Sequence, residues 1–216
     1  MKIFLDTAVY EDIEKANQSG LIDGVTTNPS LILKSGGDPV ETIKKISGDF
    51  PFFESISAEV VADDALEMVD QAQAFKDLQN VTIKVPLTIE GLKACKLLTQ
   101  DGFTVNVTLC FSVAQAVLAA KAGATYISPF VGRVDDNSFE GIGLVKDIAN
   151  LYKEHMSRTQ VLAASLRNVK DVAQCFSVGA DVVTMPPAIF HKMYNHILTD
   201  KGLQLFQDDW NSIKKD

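Results

Sequence analysis

Eight short apolar runs, each separated from the next by a stretch of helical periodicity, constrain the fold of this 216-residue chain more than any other feature. They are Lys2 to Leu5, Gly24 to Thr26, Ser55 to Val60, Val81 to Val85, Thr104 to Val107, Tyr126 to Pro129, Val161 to Ala164 and Val182 to Thr184. Short runs rich in β-branched residues predict buried strands. Between them, sets such as Ala65, Met68, Val69, Ala72 and Phe75, or Ile142, Val145, Ile148 and Tyr152, put apolar groups on one helical face. Such alternation predicts repeated βα units around a parallel sheet rather than segregated strands and helices. Gly123-Ala124 and Gly179-Ala180, ahead of the sixth and eighth runs, supply the glycine that helix ends favour. Eight parallel strands can form a doubly wound sheet or close on themselves, and closure removes exposed edges. The expected architecture is α/β, a single (β/α)8 TIM barrel domain over residues 1–216, with no linker or low-complexity tract to divide it.

An additional C-terminal helix is expected over residues 199–214. Leu203, Phe206, Trp210 and Ile213 form an apolar stripe there that carries the only tryptophan. From the pattern alone, the stripe can fold back onto its own barrel or pack on a neighbouring subunit.

The formal net charge is −8 and the basic doublets are only Lys44-Lys45 and Lys214-Lys215, which argues against nucleic acid or an anionic membrane as partner. Cys95, Cys110 and Cys175 are odd in number and lie in apolar stretches, as expected of reduced thiols in a cytoplasmic protein. No apolar stretch reaches the roughly 18 residues of a membrane span, and the first residues do not read as a secretory signal. A G-x-x-x-x-G-K-[ST] loop is absent, and Gly141-Ile142-Gly143 lacks the third glycine of a dinucleotide fingerprint. His155, His191 and His196 fall in presumed outer helices without metal-ligand spacing, so neither a cofactor nor a metal is expected. Asp63-Asp64, Asp135-Asp136 and Asp208-Asp209 are expected to be solvated or helix-start charges.

Within the fourth run, Val81-Thr82-Ile83-Lys84-Val85-Pro86, stands a lysine. Lysine is almost never buried without a partner or a purpose, and desolvation favours the neutral amine, the form that attacks a carbonyl to give a Schiff base. The alternative is a structural lysine paired with a carboxylate. Catalytic groups of a barrel project from the C-terminal strand ends, and here those ends carry Asp6, Thr26 and Asn28, Glu59, Lys84, Asn106 and Thr108, Ser128, and Ser165. Singly, each could cap a helix or satisfy the backbone, and Glu59 could be the counter-ion of Lys84. Together they describe a polar pocket around one lysine. An amine nucleophile needs a carboxylate to move protons through carbinolamine formation, dehydration and C–C cleavage, and Asp6 and Glu59 are the strand-end carboxylates. Arg133 and Arg167 lie in the loops after the sixth and seventh runs, where barrels gather phosphate groups, so a phosphorylated substrate is expected. The alternative is that the two arginines are surface ion pairs.

The segments Phe4-Leu5-Asp6-Thr7-Ala8, Gly24-Val25-Thr26-Thr27-Asn28-Pro29-Ser30, Ile83-Lys84-Val85-Pro86, Asn106-Val107-Thr108, Ser128-Pro129-Phe130-Val131-Gly132-Arg133 and Ala163-Ala164-Ser165-Leu166-Arg167 resemble the transaldolase family. The resemblance runs from residue 1 to Asp209-Trp210 and is closest to the short bacterial branch that includes fructose-6-phosphate aldolases. It implies a metal-free mechanism in which Lys84 forms a Schiff base with a ketose phosphate and passes a dihydroxyacetone unit to an aldose phosphate. The donors would be sedoheptulose 7-phosphate or fructose 6-phosphate, and the acceptors glyceraldehyde 3-phosphate or erythrose 4-phosphate, in the non-oxidative pentose phosphate pathway. By the same resemblance Asp6 takes the substrate hydroxyl proton, and Glu59 and Thr108 hold the catalytic water. Thr26, Asn28, Asn106, Ser128 and Phe130 would contact substrate, and Arg133, Ser165 and Arg167 would bind phosphate. It also implies a pentamer or decamer in which the C-terminal helix reaches a neighbour. Aldolases of this branch are expected to have glutamine at the position of Glu59 and tyrosine at that of Phe130, so both positions imply transfer. The alternatives are a fructose-6-phosphate aldolase and a non-catalytic sugar-phosphate binding barrel.

Overall fold

In the computed structural model, which describes residues 1–213, eight parallel strands form a closed barrel in sequence order, with the eighth paired back to the first. The strands are β1 (Lys2–Asp6), β2 (Gly24–Thr26), β3 (Ser55–Glu59), β4 (Val81–Pro86), β5 (Thr104–Cys110), β6 (Tyr126–Pro129), β7 (Gln160–Ala163) and β8 (Val182–Met185). Seven follow the apolar runs to within a residue at each end. β5 runs on to Cys110 because it keeps pairing beyond Val107, first Thr108 with Pro86 and then Cys110 with Pro129 across an irregularity. At that irregularity Leu109 takes a positive φ of 63°.

The helices are α1 (Tyr10–Asn17), α2 (Pro29–Ser35), α3 (Pro39–Asp49), α4 (Ala65–Ala72), α5 (Ile89–Gln100), α6 (Val113–Ala122), α7 (Val131–Asp136), α8 (Gly141–Glu154), α9 (Val169–Ser177), α10 (Pro187–Lys192) and α11 (Ile197–Ile213). The starts of six of them are set by short polar side chains: Asn28, Asp38, Asp64, Thr88, Ser112 and Asn168 each accept from a backbone N–H of the first turn. Gly123 ends α6 with φ at 91°, a conformation that glycine adopts without steric cost.

Strand alternation divides the interior into two layers. Outward residues such as Leu5, Val25, Ile56, Ile83, Val107, Ile127 and Val183 join the inner faces of the helices in the main apolar cluster. Inside the barrel Phe4, Tyr126, Leu162 and Val182 form a separate small cluster. The rest of the lumen is polar. Ser55 donates to Thr82, and Thr82 contacts Thr104 at 3.0 Å, so a ladder of hydroxyls crosses three strands below their C-terminal ends.

The helix expected at residues 199–214 begins earlier, at Ile197, and residues 214–216 lie outside the described part. α11 has no buried residue, and Leu203, Phe206, Trp210 and Ile213 are between 55% and 73% exposed. Among the described residues, then, the stripe is not folded back onto its own barrel. No helix among them is long and apolar enough to cross a membrane.

Candidate active site

Parallel register puts the polar strand ends at one height. Glu59 pairs with Lys84 and Lys84 with Asn106 across β3, β4 and β5, while Asp6 lies opposite Thr26 across β1 and β2. They surround a cavity of about 120 Å³, enough for a small-ligand fragment and several times what one water needs. Of the residues expected from sequence, Asp6, Thr26, Asn28, Lys84, Asn106, Thr108, Ser128, Phe130, Arg133 and Ser165 line this cavity. Glu59 lines an adjoining opening together with Lys84, Thr108, Arg133 and Lys34. Arg167 lines neither.

Lys84 is 6% exposed. Its Nζ lies 2.9 Å from Oε2 of Glu59 and donates to the carbonyl oxygen of Thr27 at 3.1 Å. The Thr27 hydroxyl donates to the Ser57 carbonyl at 2.7 Å, tying the β2 end to β3. Glu59 is therefore the counter-ion of Lys84. The Asp6 carboxyl is pushed above the ordinary carboxylate range, first by burial and further by the Glu59 charge. A hydrogen bond from Thr26 and the charge of Lys84 pull in the opposite direction. A carboxyl held in this way can accept a proton and return it.

The amide wall is divided by function. Ser128 donates to Oδ1 of Asn106 at 2.8 Å, which fixes the amide and leaves its Nδ2 buried without a partner among the described residues. Thr108 Oγ1 is likewise buried and unpartnered. Buried polar groups in this condition are destabilising unless something else is meant to bind them. Asn28 does two things, since its Oδ1 caps α2 by accepting from Leu31 N–H at 3.0 Å while the residue also faces the cavity.

On the far wall, Phe130 packs edge-on against Phe111, and the Arg133 guanidinium lies 4.9 Å from the centre of the Phe130 ring. Ser165 takes a positive φ of 61°, unusual for a non-glycine residue. Arg167 lies outside this lining in an ion pair: both its terminal nitrogens bond to the two carboxylate oxygens of Asp136 on α7, in a half-exposed pair. Its stem passes over Gly132, where a Cβ would fall 2.7 Å from Nε and 2.3 Å from the Ser165 carbonyl oxygen. The Asp135-Asp136 doublet is consequently not a pair of free solvated charges. Asp136 holds Arg167, and Asp135 accepts from Gly141 N–H at 2.9 Å to join α7 to α8.

Sequence reasoning missed three cavity-lining residues, Leu162, Ala164 and Thr184. Thr184 had the available signal, a hydroxyl at the end of a strand run. Thr27 was missed because it acts through its backbone carbonyl, which every residue possesses.

A family model described as Transaldolase/Fructose-6-phosphate aldolase matches residues 3–216. A probable transaldolase of Cereibacter sphaeroides is 52% identical over 211 residues, covering 97% of this chain and 95% of that protein. A probable transaldolase of Paracoccus denitrificans is 52% identical over 213 residues, covering 97% and 96%. Among solved structures, a cube-shaped, highly porous protein cage designed by fusing symmetric oligomeric domains is similar in fold, with a TM-score of 0.62 at 15% identity. That similarity covers 100% of this chain and 80% of the other.

Proposed function

The chain belongs to the transaldolase/fructose-6-phosphate aldolase family, and from that premise we propose that it is an enzyme of the transaldolase type, transferring a dihydroxyacetone unit between sugar phosphates through Lys84. The observation that carries this reading is a lysine 6% exposed, bonded to one carboxylate and in electrostatic contact with a second that is partly buried.

In the proposed sequence, the Lys84 ammonium first passes a proton to Glu59, directly or through a water held by Thr108, and the freed lone pair attacks the ketose carbonyl carbon. Water leaves the carbinolamine with a proton from the same Glu59 and Thr108 pair, giving the iminium. Asp6 then removes the proton of the hydroxyl two carbons from the iminium carbon. The bond from that hydroxyl-bearing carbon to the carbon next to the iminium breaks, its electrons pass into an enamine on Lys84, and the hydroxyl-bearing carbon departs as the carbonyl of an aldose phosphate. An incoming aldose phosphate takes the enamine electrons and the Asp6 proton, and hydrolysis releases the new ketose. Asn28, Asn106 and Ser128 orient the hydroxyls. Arg133 and Ser165 bind phosphate, and Arg167 joins them with the guanidinium edge that Asp136 leaves free.

Sedoheptulose 7-phosphate or fructose 6-phosphate as donor, and glyceraldehyde 3-phosphate or erythrose 4-phosphate as acceptor, fit this chemistry. Phe130 favours transfer over release because, unlike tyrosine, it has no hydroxyl beside the catalytic water to protonate the enamine, and Glu59 is the residue the family resemblance associates with transfer. The exposed Leu203, Phe206 and Ile213 of α11 support a contact between copies of this chain; a pentamer or decamer in a cytoplasmic protein is what the family resemblance implies. The experiment is borohydride reduction with fructose 6-phosphate followed by peptide mass spectrometry. A three-carbon adduct on Lys84 and turnover dependent on erythrose 4-phosphate are expected. An unmodified Lys84 would refute the mechanism, and turnover without an acceptor would make the protein an aldolase.

A further inference from the structure

The role given to Asp6 rests on the reading above, and it requires an ionised carboxylate when the substrate hydroxyl arrives. The surroundings oppose this. Burial acts most strongly on Asp6 and favours its protonated form, and the Glu59 charge on β3 acts in the same sense. Lys84 on β4, Lys34 on α2 and the Thr26 hydroxyl on β2 favour the ionised form. Thr26 is the one among them that bonds to Asp6 directly, its Oγ1 donating to Oδ1 at 2.8 Å.

Behind Thr26, at the end of β8, lies Thr184, 2% exposed, with its Oγ1 2.6 Å from that of Thr26. For the ionised Asp6 that the proposed mechanism requires, counting hydrogens sets the direction of this contact. An ionised carboxylate only accepts, and a threonine hydroxyl has one hydrogen. Thr26 commits that hydrogen to Asp6, so the hydrogen between the two threonines comes from Thr184. The chain therefore runs from Thr184 to Thr26 to Asp6, crossing from β8 over β1 to β2. A hydroxyl that accepts one hydrogen bond donates the next more strongly, because each bond polarises its neighbour in a medium of low dielectric. The same chain points Oδ1 of Asp6 at Thr26, which leaves Oδ2 to meet substrate.

We propose that Thr184 is a positioning residue for the proton-transfer step, acting through Thr26 to keep Asp6 ionised and oriented. Thr184→Val removes the hydroxyl and keeps the β-branched shape, whereas Thr184→Ser keeps the hydroxyl and removes a methyl group. In Thr184→Val the acid limb of the kcat profile for transfer should move up by about half a pH unit, which lowers kcat by about threefold on that limb and leaves the plateau above it unchanged. The 13C carboxyl resonance of Asp6, followed in the substrate-free protein, should titrate at a correspondingly higher pH. Thr184→Ser should restore both, and Thr184→Ala is the hydroxyl-free variant to measure if the valine variant fails to fold. A merely structural threonine would change stability or KM and leave both titrations in place. Unshifted titrations in the valine or alanine variant would overturn the proposal. Asp6→Asn separates the two levels: transfer retained in Asp6→Asn sinks the assignment of Asp6, whereas transfer lost there beside unshifted Thr184 variants sinks only the role of Thr184.

Discussion

Replacing Glu59 by leucine tests whether the Lys84 site is held at a cost to the fold. The side chains of Lys84 and Glu59 are 8% and 17% exposed, so solvent screens their 2.9 Å pair little. Removing one partner of a buried pair typically costs about 3–5 kcal/mol, because the remaining charge keeps its desolvation penalty and loses its compensation. Lys84 retains the Thr27 carbonyl as acceptor, which places the expected loss near the lower end, about 3 kcal/mol. For a chain of this size that corresponds to roughly 6–12 °C in Tm. The partner substitution Lys84→Met removes the buried cation, and leucine facing methionine fills the space with apolar groups. The double variant should therefore recover most of the loss, giving a coupling of about 2–3 kcal/mol in a double-mutant cycle. Guanidinium unfolding at a single protein concentration measures all four proteins, with concentration fixed because assembly adds to apparent stability. A Glu59→Leu protein within about 0.5 kcal/mol of the parent, or additive substitutions, would refute the reasoning. It would mean that the pair is already screened by water.

Because burial raises the Asp6 carboxyl, the folded state holds that proton more tightly than the unfolded chain, and stability falls as pH rises through the raised value. Asp6→Asn should thus stabilise the protein at pH 7, with the gain fading below about pH 4, where both states are protonated. Denaturant unfolding at the two pH values checks this, and a larger gain at acid pH contradicts it. Gly132→Ala would place a Cβ 2.3 Å from the Ser165 carbonyl oxygen, a backbone atom that has little freedom to move aside. We expect at least a tenfold higher KM for phosphorylated donors and a smaller change for dihydroxyacetone; equal changes would detach Ser165 and Arg167 from phosphate binding. Burial pushes Cys110 up to about 11 and Cys95 and Cys175 up to about 12. At pH 8 about one thiol in a thousand or fewer is ionised, so a disulfide reagent should leave the native protein unmodified and titrate three thiols after unfolding.

The barrel was legible because each strand is a local apolar run and each helix carries its own periodicity and cap. The strand that outran its expected limit, β5, did so through pairing with Pro86 and Pro129, residues 22 and 19 positions away from their partners. No local pattern records such a partner. Most of the cavity wall was legible for a related reason: polar residues at the ends of apolar strands are anomalous in sequence, and parallel register brings the ends to one height. The acidic doublet Asp135-Asp136 read as solvated because its partners, Gly141 N–H and Arg167, become neighbours only after α7 folds back over the barrel mouth.

From the sequence alone came the eight-unit alternation, the lysine inside an apolar strand and the carboxylates that could serve it, because these follow from residue type and spacing of two or 3.6. Tertiary structure decided which carboxylate touches that lysine, that Arg167 is held by Asp136, and that Thr184 stands behind Thr26. Those contacts join residues 25, 31 and 158 positions apart, and hydrogen bonds and ion pairs depend on ångström distances that only barrel closure sets.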